Sequence, residues 1–382
     1  MRFPEFSGEW ERMTVSDLLD FYTTNSLSWE QLEYGSEGLF NLHYGLIHVG
    51  LPTLIDLAQN ALPSVKPENM PRSFELCQEG DVAFADASED TNEVAKVVEF
   101  SNLDGKQVVC GLHTIHGRDT KGRTTTGFKG YALSSQPFHF QIRRLAQGTK
   151  IYSISLKNFA ESHISIPSKD EQSKIVSLLS LVDKRIETQN KIIEDVQSLI
   201  SGVNEQLMSI NGSNFVSLGD IATITNGTND VQDAKMEYNE GLYPFYDRSE
   251  IIKYLDSFFL DKEAIIYPGE GSEFYPRYYN GKFALHQRCY AIYDLSEDFV
   301  AKYVYYYMQN LNNYFIRNAV GSTVPSLRLD TFKRVRIPIL PKDEQSKICN
   351  VLDALSNKLQ IEQNILKNYQ IQKAYLLQQM FI

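Results

Sequence analysis

No apolar run in the 382 residues approaches the roughly 18 that a membrane span requires, so no membrane contact is expected. The opening Met1-Arg2-Phe3-Pro4-Glu5-Phe6 has no apolar core, and no signal peptide is expected either. Cysteine is scarce. Cys77, Cys110, Cys289 and Cys349 are widely separated, no pair has zinc-ligand spacing, and no disulfide framework is suggested; a reduced, cytoplasmic setting fits. The chain also lacks a Gly-x-x-x-x-Gly-Lys-Ser/Thr loop for nucleotide phosphates and the Asn/Asp-Pro-Pro-Tyr/Phe motif of amino-methyltransferases. Asp104-Gly105-Lys106 and Asp119-Thr120-Lys121 mimic the tail of a nuclease signature but read as turns. His113 and His116 stand three apart, yet no Cys, Asp or Glu cluster completes a site, so no metal is expected. Asn226-Gly227-Thr228-Asn229 has one glycine and reads as a turn.

Positive charge is in deficit: 37 Lys and Arg against 48 Asp and Glu, a net charge of -11. Taken in bulk that disfavours a nucleic-acid partner, whose phosphates need cations. The charge is unevenly spread, however. Residues 117–150 hold Arg118, Lys121, Arg123, Lys129, Arg143, Arg144 and Lys150 against Asp119 alone, while acids concentrate at 75–104.

What is present is a repeat. Lys169-Asp170-Glu171-Gln172-Ser173-Lys174-Ile175 recurs as Lys342-Asp343-Glu344-Gln345-Ser346-Lys347-Ile348, an offset of 173. Upstream, Gly148, Leu156, Phe159, Ile164 and Ile166 fall on Gly321, Leu329, Phe332, Ile337 and Ile339. Downstream, apolar positions step by four and three, as in a coiled-coil seam. The first copy runs Ile175, Leu179, Val182, Ile186, Gln189, Ile193 and on to Leu207; the second runs Ile348, Leu352, Leu355, Leu359, Glu362, Leu366 and on to Met380. Ser168 with Glu171 fits a capping box, and Pro341 with Asp343 and Glu344 suits a first turn. Each seam predicts a helix on the order of 50 Å long. The natural partner for each stripe is the other copy, paired antiparallel with Gln189 and Glu362 in neighbouring layers. Packing of each helix only on its own globular region is the alternative.

The regions outside the helices are β-rich in pattern and unlike each other. The expected architecture is α+β: a first β-rich domain at 1–160, a long helix at 161–211, a second β-rich domain at 212–335, and a C-terminal long helix at 336–382. In the first domain the basic, Thr- and Gly-rich loop around Arg118, Lys121, Arg123 and Lys129 is either a DNA contact or a solvated hairpin, with Arg143 and Lys150 beyond it. In the second, Arg277 and Tyr278, with Gln287 and Arg288, interleave aromatic and basic groups; strand packing is the alternative there. Arg and Gln can grip base edges bidentately. Gly148-Thr149-Lys150 and Gly321-Ser322-Thr323 occupy equivalent repeat positions, where backbone amides and the hydroxyls of Ser322 and Thr323 suit phosphate contact.

Several segments carry a family resemblance. They are Arg2-Phe3-Pro4-Glu5-Phe6 with Trp10-Glu11, residues 41–48, Glu79-Gly80-Asp81-Val82, Gly111-Leu112-His113-Thr114-Ile115, residues 141–150, residues 337–341 followed by 344–348, and residues 376–381. In this order, and with the repeat, the chain resembles type I restriction-modification specificity subunits. The resemblance implies a subunit without a catalytic centre or cofactor of its own, whose two domains each read one half of a split site in double-stranded DNA. It implies two methyltransferase subunits that carry S-adenosylmethionine, and restriction/translocase subunits that use ATP and Mg. The rival reading is a coiled-coil assembly scaffold with no DNA role.

Overall fold

The computed structural model describes residues 2–209, 214–232 and 234–381. Two helices dominate the chain, Lys169–Met208 and Lys342–Gln379. They carry the two predicted seams, apart from Met380 just past the end of the second helix, and start at equivalent residues of the repeat. The chain divides into two compact units, residues 1–190 with 365–382, and residues 191–364, so each long helix is shared between them. No described helix is long and apolar enough to cross a membrane.

In the first unit a five-stranded mixed sheet runs in the order Asp20–Tyr22, Thr114–Arg118, Val82–Ala85, Val97–Asn102, Leu54–Asp56. A four-stranded sheet runs Gln107–Cys110, Leu39–Leu42, Ser64–Val65, Leu32–Glu33. Val82-Ala83-Phe84-Ala85 is buried on both faces, which is why it reads as an unbroken apolar run and not as an alternation. Asp104 and Gly105 both take positive φ. The turn they make joins strands of two different sheets, so Asp104-Gly105-Lys106 is a turn but not a hairpin. Ile175, Leu179 and Val182 of the first long helix share one core cluster with Leu376, Met380 and Phe381 from the end of the chain, and Ile186 packs against it. Gln189 is also buried, as is Ile193 on the part of the same helix that belongs to the second unit.

The second unit holds a six-stranded sheet ordered Thr223–Asn226, Cys289–Tyr293, Leu260–Pro268, Arg277–Leu285, Tyr243–Tyr246, Lys253–Leu255. Leu207, near the end of the first long helix, shares a cluster with Cys349 and Leu352 near the start of the second, and Ile348 packs against it. Within each unit the start of one long helix therefore lies with the end of the other, which is antiparallel pairing. Leu355, Leu359, Glu362 and Leu366 are half-buried.

The repeat extends to hydrogen bonding. Gln172 Oε1 accepts from the Thr125 amide at 2.8 Å, and its Nε2 donates to the carbonyls of Pro167 at 2.9 Å and Arg123 at 3.2 Å. Gln345 repeats this: Oε1 accepts from the Val300 amide at 2.8 Å, and Nε2 donates to the carbonyls of Leu340 and Asp298, both at 2.9 Å. Both glutamine side chains are fully buried. Each one ties the first turn of a long helix to the loop ahead of a domain helix. A two-stranded ladder, Glu11–Thr14 with His163–Ile166 and Phe215–Ser217 with Arg336–Pro338, closes each unit in the same way. Gln345→Ala leaves one buried amide and two carbonyls without their partner, and is expected to cost about 1–3 kcal/mol. Urea unfolding of the full chain measures this, with the exposed Gln363→Ala as a neutral control.

Candidate nucleic-acid interface

The basic stretch 117–150 is less free than its sequence implies, because folding brings the acids of 75–104 against it. Arg118 is 13% exposed. Its Nε and Nη2 meet both oxygens of Asp81 at 2.9 and 2.8 Å, Nη1 reaches Glu75 at 3.0 Å, and Nη2 also donates to the Leu76 carbonyl. The guanidinium lies 4.4 Å from the Tyr22 ring centroid. Lys129 is 3% exposed and its Nζ sits 3.0 Å from Glu99, itself fully buried. The reading of Arg118 and Lys129 as DNA contacts is therefore corrected. One has every nitrogen engaged, the other has no surface to offer, and both neutralise buried carboxylates.

Other residues of this stretch stay at the surface. Lys121 is exposed, with Nζ on the Asp17 carbonyl at 3.0 Å. Arg123 is partly exposed and touches Glu11 at 3.3 Å, a weak surface pair that a phosphate or base edge can displace. Asp119 does not stand with Lys121 as a nuclease pair would. Its Oδ2 accepts from the Thr124 amide and hydroxyl at 2.7 and 2.8 Å, bracing the loop that presents Arg123.

On the helix Gln136–Leu145 the guanidinium groups of Arg143 and Arg144 lie 5.9 and 5.8 Å from the ring of Phe140, which is 56% exposed. Arg143 Nη1 also donates to Asn92 at 2.9 Å. Sequence reasoning singled out Arg143 but missed Phe140; an aromatic one helical turn before paired arginines was the available signal. Lys150 is exposed in the loop after this helix. A bridge between Gln147 and Ser153 closes that loop, as one between Val320 and Ser326 closes the loop bearing Ser322 and Thr323. Gly148, with φ of 144°, has no room for a side chain: a Cβ would stand 1.9 Å from the Ile151 carbonyl oxygen. Ser322 and Thr323 are exposed, at the same place in the second unit.

The second unit carries a groove of about 510 Å³ whose lining includes Asp247, Arg248, Lys253, Glu270, Gln287 and Arg288. Arg288 is 62% exposed and its Nη1 reaches both oxygens of Glu270, at 2.8 and 2.9 Å, which raises its already high pKa. Gln287 Nε2 reaches Asp230 at 3.5 Å. Burial works against the Asp247 carboxylate, but Lys253 at 2.6 Å and two hydrogen bonds from Ser249 outweigh it, holding its pKa below the usual value. Arg248 is exposed beside this groove and was missed in sequence, where nothing local links it to Arg288.

Arg277 sits deeper. Its Nη2 donates to the carbonyls of Asp247 and Ser249 at 2.8 and 2.6 Å, so it braces the segment that presents Arg248. Tyr278 bonds Glu263 through its hydroxyl, and Lys302 lies 5.5 Å from its ring. Burial, then Glu263, raises the Tyr278 pKa. Of the four residues expected in this domain, the structure brings Gln287 and Arg288 together at a groove. It gives Arg277 and Tyr278 packing partners.

A family model described as type I restriction modification DNA specificity domain matches residues 107–198 and 211–369. Over 163 residues the chain is 30% identical to the type I restriction enzyme EcoDI specificity subunit of Escherichia coli, a match covering 40% of this chain and 35% of that relative. The chain thus spans about a third of that relative's length. Among solved structures, the S subunit of a type I restriction-modification system from M. genitalium is similar with a TM-score of 0.65 at 18% identity, over 100% of this chain and 99% of that one. A chain from a structure addressing complex assembly and conformational transition of the type I R-M system is similar with a TM-score of 0.57 at 14% identity, over 98% and 97%. At these identities the structural likeness is one of fold.

Proposed function

The chain belongs to the type I restriction-modification DNA specificity family, and from that premise we propose that its two domains each read one half of a bipartite site in double-stranded DNA. The observation that carries this reading is a frame repeated within the chain around unlike contents. The glutamine tie, the two-stranded ladder and the bridged glycine loop occur in both units, yet the sheets they hold differ in strand number and order. A protein that reads two different sequences at a set spacing needs that combination. In this reading the long helices set the spacing and dock two methyltransferase subunits. Exposed apolar side chains off the seam support docking: Leu181 and Leu199 on the first helix, and Val351, Ile361, Ile371 and Tyr375 on the second. The chain has no catalytic role and carries no reaction cofactor. S-adenosylmethionine belongs to the methyltransferase subunits, and ATP and Mg to the restriction/translocase subunits.

Arg123 and Arg288 test the assignment of one half-site to each unit. In the assembled methyltransferase, Arg123→Ala is expected to weaken recognition of one half of the motif and Arg288→Ala that of the other. A base contact shows as a loss of about 1–3 kcal/mol with relaxed specificity at one position, and a phosphate contact as a uniform loss across sequences. Competition binding against site variants altered in one half at a time separates these outcomes. Loss in the same half from both variants contradicts the assignment.

A further inference from the structure

In the first unit three side chains far apart in sequence meet below the surface. Cys77 lies in the loop before Val82–Ala85, and its amide donates to the Val108 carbonyl at 2.8 Å. Cys110 ends the strand Gln107–Cys110, and His116 is central in Thr114–Arg118. All three are buried, and their ligand atoms lie within 4.8 Å of one another. The two Sγ atoms are 3.5 Å apart.

A second, independent feature concerns His116, which has no solvent exposure. Its Nε2 is 2.7 Å from Asp81. Its Nδ1 is buried and has no hydrogen-bond partner among the described residues. An orphaned buried ring nitrogen is costly, and a metal ion is one group that satisfies it. The Asp81 contact then fixes the tautomer, with Nε2–H donating to the carboxylate and the Nδ1 lone pair free to bind. Metal-ligating histidines are oriented in this way by a carboxylate on the far nitrogen. Arg118 holds that carboxylate from its other side.

We propose that Cys77, Cys110 and His116 form a binding site for a soft divalent cation, zinc in the first place, with Asp81 and Arg118 as positioning residues. Two thiolates on one tetrahedral zinc stand roughly 3.8 Å apart, given Zn–S bonds of about 2.3 Å, close to the spacing found. Charge balances locally. Two thiolates cancel the dication, their protons leaving to solvent as the S–metal bonds form, and Arg118 cancels Asp81. Three protein ligands leave a fourth position open, and a cleft of about 510 Å³ whose lining includes Tyr22, Thr114 and His116 borders the histidine side of the site. The ion would pin the Cys77 loop to strands of both sheets, beside the strand end that carries Arg118.

The full-length chain, reduced and stripped of metal, is titrated with cobalt(II) as a spectroscopic stand-in for zinc. The expected result is one cobalt per chain with a thiolate-to-cobalt charge-transfer band, displaced by one equivalent of zinc. Cys77→Ser and Cys110→Ser abolish the band, whereas the double variant Cys289→Ser/Cys349→Ser keeps it. Wild-type chain with free thiols and no band overturns the proposal without recourse to any variant. So does a band that survives in Cys77→Ser, or a Cys77–Cys110 disulfide forming in place of metal uptake.

Discussion

Lys129→Ala is expected to destabilise the first unit by about 3–5 kcal/mol, the range for removing one partner of a buried ion pair. Nothing in the surrounding loop can replace the ammonium. Glu99 has no exposure, and its two oxygens already accept from the amides of Gly127 at 2.8 Å and Gly130 at 2.7 Å. Burial raises the Glu99 pKa, opposed by Lys129 and those two amides. Without the lysine it rises further, which fixes the sign of the pH dependence. A carboxyl whose folded pKa exceeds its unfolded value penalises the folded state as pH climbs between the two. The variant's deficit is therefore largest at alkaline pH and shrinks on acidification, as Glu99 takes up a proton and its charge disappears. A deficit of this size moves the first unit's melting transition by on the order of 10 °C. Calorimetry at mildly acidic and mildly alkaline pH checks both size and sign. A loss below about 1 kcal/mol at every pH contradicts a buried pair and restores Lys129 to the surface.

The second large effect concerns oligomeric state. A fragment of residues 1–209 keeps the first globular region and a complete seam but loses Leu376, Met380 and Phe381. Those three close the core over Ile175, Leu179 and Val182, and Phe381 lies 6.2 Å from the Trp10 ring and 6.0 Å from Phe128. Left open, that apolar surface cannot remain in water at the concentrations of an assembly reaction. The repeat supplies a substitute: at the offset of 173, Leu376 and Met380 correspond to Val203 and Leu207. A second copy of the fragment can present these residues, so the fragment is expected to dimerise along Ile175, Leu179, Val182, Ile186 and Ile193. Two identical readers related by a two-fold axis require an interrupted palindrome. With the methyltransferase supplied, the fragment should direct methylation to two inverted copies of the first half-site. Light scattering reads the dimer and sequencing of methylated DNA reads the target. A monomer contradicts the shared seam, and a dimer that keeps the asymmetric site contradicts one half-site per unit.

Sequence exposes what is periodic or repeated, because such signals need no knowledge of distant contacts. The two long helices and their apolar stripes were legible for that reason, but the helices begin at Lys169 and Lys342 and not at 161 and 336, because His163–Ile166 and Arg336–Pro338 just ahead of them are strands. Gln172 and Gln345 stood inside the repeated heptapeptide, but their role emerges only once the loops at Thr125 and Val300 are folded against them.

The basic stretch 117–150 illustrates the opposite case. Counted along the chain it is positive and the stretch 75–104 negative. Strand pairing in the five-stranded sheet sets Gly117 against Val82, and Val82 against Glu99, which lays Arg118 on Asp81, and the Gly127 and Gly130 amides on Glu99 bring Lys129 to it. The apparent segregation is partly internal neutralisation. His116 was weighed only with His113, and its grouping with Cys77 and Cys110 was hidden for the same reason. Spacings of 33 and 6 residues match no ligand motif, and only the pairing of their segments gathers them. In the second domain Arg248 had no local signal, and the bonds from Arg277 to the Asp247 and Ser249 carbonyls emerge only once their loop is folded against it.

The account rests centrally on two independent readers held at one spacing, and methylome sequencing tests it most directly. A cell carrying the matching methyltransferase is sequenced with and without the gene for this chain. The account predicts that the gene adds one adenine-methylated motif, split into two unlike halves by a fixed run of unspecified bases, and that Arg123→Ala and Arg288→Ala each degrade a different half. An unchanged methylome, or a gained motif that is continuous, would contradict it.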